Sequence, residues 1–140
     1  MATLEFDLLG VGEFTAALEA MDARASLACR NTVRDGAQII QRQARMNATG
    51  RPGPRVRTGT LRRSITIKYP HRGGGGVYEA QIGPTAIYSR RIELGFDGTD
   101  SIGRTYHQPP YPYFRPAFQF GTTVAIHTIW RNNVAAAMGV

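Results

Sequence analysis

The feature that most limits the fold is one long helical pattern near the start of the chain. Phe14, Leu18, Met21, Ala25 and Ala28 recur at intervals of three or four residues, and the pattern runs on through Val33, Ala37, Ile40 and Ala44. It predicts a helix of about 33 residues from Glu13, roughly 50 Å long at 1.5 Å per residue. Gly36 lies inside it and costs about 1 kcal/mol relative to alanine, so the helix is expected either to stand proud of the body or to bend there. In a chain of 140 residues, which suffices for one domain with a real core, such a rod dictates the architecture.

What surrounds the helix reads as small pieces. TLEFDL, residues 3–8, alternates apolar and polar side chains and predicts a short strand, with a turn at Gly10 and Gly12. NATGRPGPRVRTG ends the helix, and its glycines and prolines predict a mobile basic loop over residues 47–58. The residues from Thr60 lead into a strand through Tyr69. GGGG at 73–76 predicts a hairpin connection, and VYEAQIG at 77–83 a returning strand with Tyr78 and Ile82 facing inward. Residues 86–95, AIYSRRIELG, have helical spacing and a glycine stop. FDGTDSIGRTYHQ is polar and glycine-bearing, hence a loop. A final helix is expected to follow Pro116, with Phe118, Thr122, Ala125 and Ile129 on one face and Trp130 beside it. These elements predict a single α+β domain over residues 1–140. A long N-terminal helix and a C-terminal helix pack on a small, mainly antiparallel sheet.

Charge is distributed unevenly. Net charge is +7, yet nine bases and no acid lie between Arg42 and Arg72, while the rest of the chain carries eight bases and ten acids. Such a segment meets phosphate, an acidic protein surface or solvent. No aromatic residue falls between Arg42 and Lys68, which argues against stacking recognition of single strands and leaves non-specific duplex contact or protein docking. No run of about 18 apolar residues is present to span a membrane. The first residues, MATLEFDLLGVGEF, carry acids where a secretory signal carries bases.

Catalytic chemistry finds no foothold. His71, His107 and His127 stand far apart, with no second ligand at metal spacing, and Cys29 is a lone cysteine that reads as a small packing residue. Glu5 and Asp7 share one strand face with no third group. GGGG is followed by a strand and lacks the GK[ST] of a phosphate loop. The expectation is therefore a protein that is not an enzyme, with no cofactor and no metal.

One segment stands apart. PPYPYFRPAF, residues 109–118, has four prolines and four aromatics in ten residues. Proline fixes φ before folding, so little backbone entropy is left to lose. Such a segment serves either as a rigid corner introducing the last helix or as a preformed anchor on a neighbour. Phe114 is expected in the core of the subunit. Tyr111 is expected against a neighbour, because a tyrosine hydroxyl suits a half-wet interface.

Three segments in order, RTGTLRRSI (57–65), YSRRIELG (88–95) and PPYPYFRPAF, resemble the neck or tail-completion proteins of long-tailed bacteriophages, the gene-ten-like head–tail joining family. Thr58, Gly59, Leu61 and Ser64 fit its first element. Tyr88, Glu93 and Gly95 fit the second, and Pro112, Phe114, Arg115, Pro116 and Ala117 the third, with Tyr113 inserted. The resemblance implies a structural subunit of the virion that is assembled in the host cytoplasm. It would form a homo-oligomeric ring around the DNA passage, between head-closure or adaptor proteins and tail-terminator or tail-tube proteins. Non-specific contact with channel DNA is a further partner it allows. In that setting Arg51, Arg55, Arg57, Arg62, Arg63, Tyr111 and Tyr113 are the expected contact residues. Glu93, Pro112, Phe114, Arg115 and Pro116 are the expected structural anchors, with Arg115 tied to Glu93. The alternative is a basic nucleic-acid-binding module on duplex backbone, whose affinity would fall steeply with salt.

Overall fold

The computed structural model describes residues 11–70 and 76–140. The expected strand at 3–8, His71, Arg72 and most of the GGGG connection lie outside the described residues.

Helix α1 is one continuous element, Val11–Asn47, of 37 residues. It begins two residues earlier than expected and passes through Gly36 without interruption. Gly36 is buried, and a Cβ built on it would stand 3.2 Å from Cδ1 of Ile126. The glycine therefore serves close packing of two helices and is not a breaking point.

The partner is the C-terminal rod: α4 (Phe114–Phe120), a π-helical stretch (Gly121–Ala125) and α5 (Ile126–Met138). In the π stretch the N–H of Ile126 reaches the carbonyl of Gly121, five residues back. Thr122 and Thr123 donate side-chain hydrogen bonds to the carbonyls of Phe118 and Gln119 at 2.8 and 2.6 Å. Such back-bonding competes with the regular ladder and bends helices. Asn133 Nδ2 donates to Thr32 Oγ1 and Asp35 Oδ2 at 3.3 and 3.2 Å. With Ile126 at Gly36 and Asn133 at Thr32, α5 runs antiparallel along the middle of α1.

The buried stripe of α1 is Ala28, Thr32, Ala37, Ile40, Ala44 and Ala48, the last lying just past the helix end. Its residues are mostly small, so the two helices approach closely. Phe14, Leu18 and Met21 belong to the same periodic pattern but are exposed. On the C-terminal rod the inward positions are Ala117 and Gly121, while Phe118 and Thr122, expected on the inner face, point to solvent.

Among the described residues, two antiparallel strand pairs stand where the sequence predicts a single sheet. The segment from Thr60 first makes a short helix, α2 (Thr60–Ser64), before strand β1 (Ile65–Lys68). Strand β2 is Gln81–Pro84, later than the expected return, and pairs so that Ile65 faces Pro84 and Ile67 faces Ile82. Tyr78, expected to face inward, precedes β2 and is exposed.

After α3 (Ser89–Leu94), the expected polar loop is in fact a hairpin. It consists of β3 (Phe96–Thr99) and β4 (Thr105–Gln108), with Phe96 opposite Gln108. Asp100 builds its turn. The carboxylate accepts the N–H groups of Ile102 and Arg104 at 3.0 and 2.9 Å, together with Arg104 Nε at 2.9 Å and the Tyr106 hydroxyl at 3.1 Å. The Arg104 N–H, ahead of the other donors, holds the Asp100 carboxyl below its ordinary range.

The main core cluster joins the end of α1 to the proline segment: Ala44, Ala48, Ile65, Tyr113 and Ala117, with Leu61, Ile92 and Phe114 packed against it. Gln41 Nε2 and Arg45 Nη2 both donate to the Ile65 carbonyl, at 2.8 and 3.0 Å, which fixes β1 on α1.

Candidate assembly surface

The third sequence segment is held by the second. Glu93, on α3, points its carboxylate at the start of α4. Oε2 accepts the N–H groups of Tyr113 and Phe114 at 2.9 and 3.0 Å, and Oε1 accepts that of Arg115 at 2.8 Å. The first N–H groups of a helix have no partner within it, and a negative charge there also meets the positive end of the helix dipole. Pro116 follows in the first turn and has no N–H to satisfy. The expected tie between Arg115 and Glu93 thus exists, but through the backbone; the Arg115 residue is exposed. Two further bonds fix the segment: Tyr111 N–H to the Ile92 carbonyl at 2.8 Å, and Asn47 Nδ2 to the Tyr113 carbonyl at 3.0 Å.

Tyr113 is 0% exposed and is the largest fully buried side chain among the described residues. This removes it from the expected contact set, because no neighbour can reach it in the folded subunit. Burial, with the Glu93 charge adding to it, pushes its phenol up to about 12, although the Ser89 side chain pulls the other way. The hydroxyl has no hydrogen-bond partner at ordinary geometry. Phe114, expected to fill this core place, lies partly buried at its edge and stacks on Phe118 with 6.2 Å between ring centroids. Pro112 is exposed.

Tyr111 is half-buried and lies under Arg51, whose Cζ is 3.9 Å from the ring centroid. This cation–π contact joins the basic loop to the proline segment. The loop is also held at its middle, where Gly53 and Pro54 are buried, while Arg51, Arg55 and Arg57 are exposed. Arg62 and Arg63 are exposed on α2, with Arg63 Nη2 donating to the Thr58 carbonyl at 3.1 Å.

Between this loop, α2 and α3 lies a cleft of about 400 Å³. Pro54, Val56, Leu61 and Ile92 give it apolar walls, and Arg55, Arg57 and Arg62 line it with charge. A smaller cleft of about 310 Å³ adjoins it, between Arg45, Gly59, Arg62 and Arg63. Neither gathers the carboxylates, imidazoles or thiols of a metal centre, and among the described residues no group of three such side chains does.

Arg91, one of the residues at helical spacing in 86–95, packs the second hairpin on α3. Its Cζ stands 4.0 Å from the Phe96 ring centroid and 4.8 Å from that of Tyr106. A sequence signal for it existed only in the two aromatics, ten residues apart.

Residues 12–95 match the family model described as "Bacteriophage HK97-gp10, putative tail-component". The chain belongs to the HK97-gp10-like family. The match runs from α1 to Gly95 and so takes in the first two recognised segments, whereas the proline segment lies beyond it. Neither the curated proteins nor the solved structures contain a match. Membership in the HK97-gp10-like family makes this chain a bacteriophage tail component, and no described helix is long and apolar enough to cross a membrane.

Proposed function

We propose that this HK97-gp10-like protein is a structural subunit of the connector between head and tail, a neck or tail-completion ring around the DNA passage, acting by non-covalent association alone. The observation that carries this reading is the amount of apolar side chain left open. Phe14, Leu18, Met21, Phe118, Val124 and Trp130, all on the two long rods, are each two-fifths exposed or more. Apolar surface on that scale marks contact with other proteins. The family supports a place in the tail; the uneven charge supports a partner with acidic groups, either protein carboxylates or the phosphates of passing DNA.

Phage particles assembled without this chain provide the test. Filled heads and finished tails should accumulate separately, and addition of the purified protein should join them. Normal joined particles in its absence would rule out the connector role. Density for the chain elsewhere along the tail would place its work in another tail structure.

A further inference from the structure

We infer that copies of this chain associate head to tail, with the N-terminal part of α1 of one copy seated in the arginine-lined cleft of the next. The proposal deepens the homo-oligomeric reading above and rests on it.

The helix supplies one half of the contact. Every residue from Gly12 to Ala25 is exposed, whereas burial of α1 starts at Ala28. Over that stretch Phe14, Leu18 and Met21 form a stripe, exposed by 64%, 50% and 52%. With 3.6 residues per turn, Glu13 falls on one flank of the stripe and Asp22 on the other, with Glu19 further round behind Asp22. Residues 12–25 hold three acids and one base, Arg24. This is an amphipathic helix of acidic character laid open on its apolar side.

The cleft supplies the other half. Its apolar walls, Pro54, Val56, Leu61 and Ile92, suit the stripe, and Arg55, Arg57 and Arg62 suit the acids that flank it. An amphipathic helix laying its apolar face in a groove is a standard mode of recognition, and opposite charges around it set orientation and register. The occupant must be a second chain. The stripe and the cleft sit at opposite ends of one rigid helix: Ala48, which lines the cleft, lies roughly 50 Å along α1 from Phe14 at 1.5 Å per residue. No chain can bring its own stripe to its own cleft while α1 is intact. Because the two surfaces differ, each copy gives a helix and receives one, and such a contact makes a ring where the rotation closes.

Two variants of the full chain test this by sedimentation velocity. Phe14→Asp with Leu18→Asp damages the stripe and leaves the cleft; Arg55→Glu with Arg57→Glu does the reverse. All four positions are exposed, and each variant is used once its melting temperature matches that of the unaltered chain. The unaltered chain should associate beyond a dimer as concentration rises. Each variant alone should remain monomeric, and an equimolar mixture should stop at a one-to-one dimer, since one intact stripe and one intact cleft remain. A gentler pair, Asp22→Arg and Arg57→Asp, serves if the double variants fail to fold: each alone should remain monomeric, and in an equimolar mixture the exchanged charges match again, so association beyond a dimer should return. Variants that assemble like the unaltered chain would overturn this interface while leaving a ring built by other surfaces. A mixture that stays monomeric also overturns it. An unaltered chain that is monomeric at every concentration defeats the homo-oligomeric reading and this proposal together.

Discussion

Gly121 and Ile40 meet with no room for a methyl group between them: a Cβ built on the glycine would stand 2.2 Å from Cγ1 of Ile40 and 2.8 Å from its Cδ1. The isoleucine is 6% exposed, so it has little freedom to move aside. Gly121→Ala should therefore destabilise the subunit by about 1–3 kcal/mol, the cost of overpacking a core. Alanine's better helix propensity, worth about 1 kcal/mol, works against that loss but does not cancel its upper range. Chemical denaturation of Gly121→Ala, alone and with Ile40→Ala, checks this. The second substitution should make the first tolerable, and equal costs with and without it would remove the steric explanation.

Glu93 caps a helix that starts twenty-one residues later in the chain. Glu93→Ala strips three N–H groups of their acceptor and should cost about 2 kcal/mol, the upper end for a lost helix cap. Glu93→Gln keeps one acceptor oxygen and should cost less. If Glu93→Ala melts with the unaltered chain, the carboxylate contributes nothing to holding the proline segment.

Tyr113 separates shape from hydroxyl chemistry. Tyr113→Ala should cost about 3–5 kcal/mol, as for other buried aromatics. Tyr113→Phe should cost little, because the hydroxyl has no hydrogen-bond partner to lose. Alkali adds a second readout. The folded phenol titrates at about 12 against an ordinary 10.0, so the folded state favours the protonated form. That contribution is complete below about 10 and is lost as pH rises through about 12. Unfolding free energies of Tyr113→Phe and the unaltered chain should diverge over that window, with the phenylalanine variant the more alkali-resistant. Parallel curves would show that the phenol does not sense its burial.

The basic loop should be open to protease in the free subunit and closed in the assembly. Trypsin is expected to cut after Arg55 or Arg57, both exposed, and to spare Arg51, which precedes Pro52. Arg51→Ala removes the contact over the Tyr111 ring and should speed cleavage at the other two sites several-fold. Unchanged cleavage would mean that the loop is held by Gly53 and Pro54 without help from the cation–π contact.

The two long rods were legible because helical periodicity repeats over many residues and survives a local error. Gly36 shows the limit of that reading. Its propensity cost was visible in the sequence, but its reason, Ile126 pressing on it, lies ninety residues away. The second hairpin was not legible. Its strands have four residues each, mostly polar, and their packing comes from the Phe96 and Tyr106 rings against the guanidinium of Arg91 on another element. In the proline segment, composition pointed to an anchor but could not choose between neighbouring rings. Tyr113 took the core place because the Glu93 clamp and the Asn47 bond fix the backbone on either side of it, and that choice turns Phe114 toward Phe118.

Gly95 has φ of 77° and lies against the Gln108 carbonyl and the Pro110 nitrogen, where a Cβ would come within 2.7 and 2.9 Å. Three residues earlier in the chain, the Ile92 carbonyl accepts the Tyr111 N–H. The path of the chain therefore leaves the body and returns to it at a single doorway, and everything between is an appendage on a closed stem. Substitution, lengthening or loss of strands there changes what the subunit displays without asking the core to rearrange. That leaves the 96–108 hairpin free to diverge at a pace the packed core does not set.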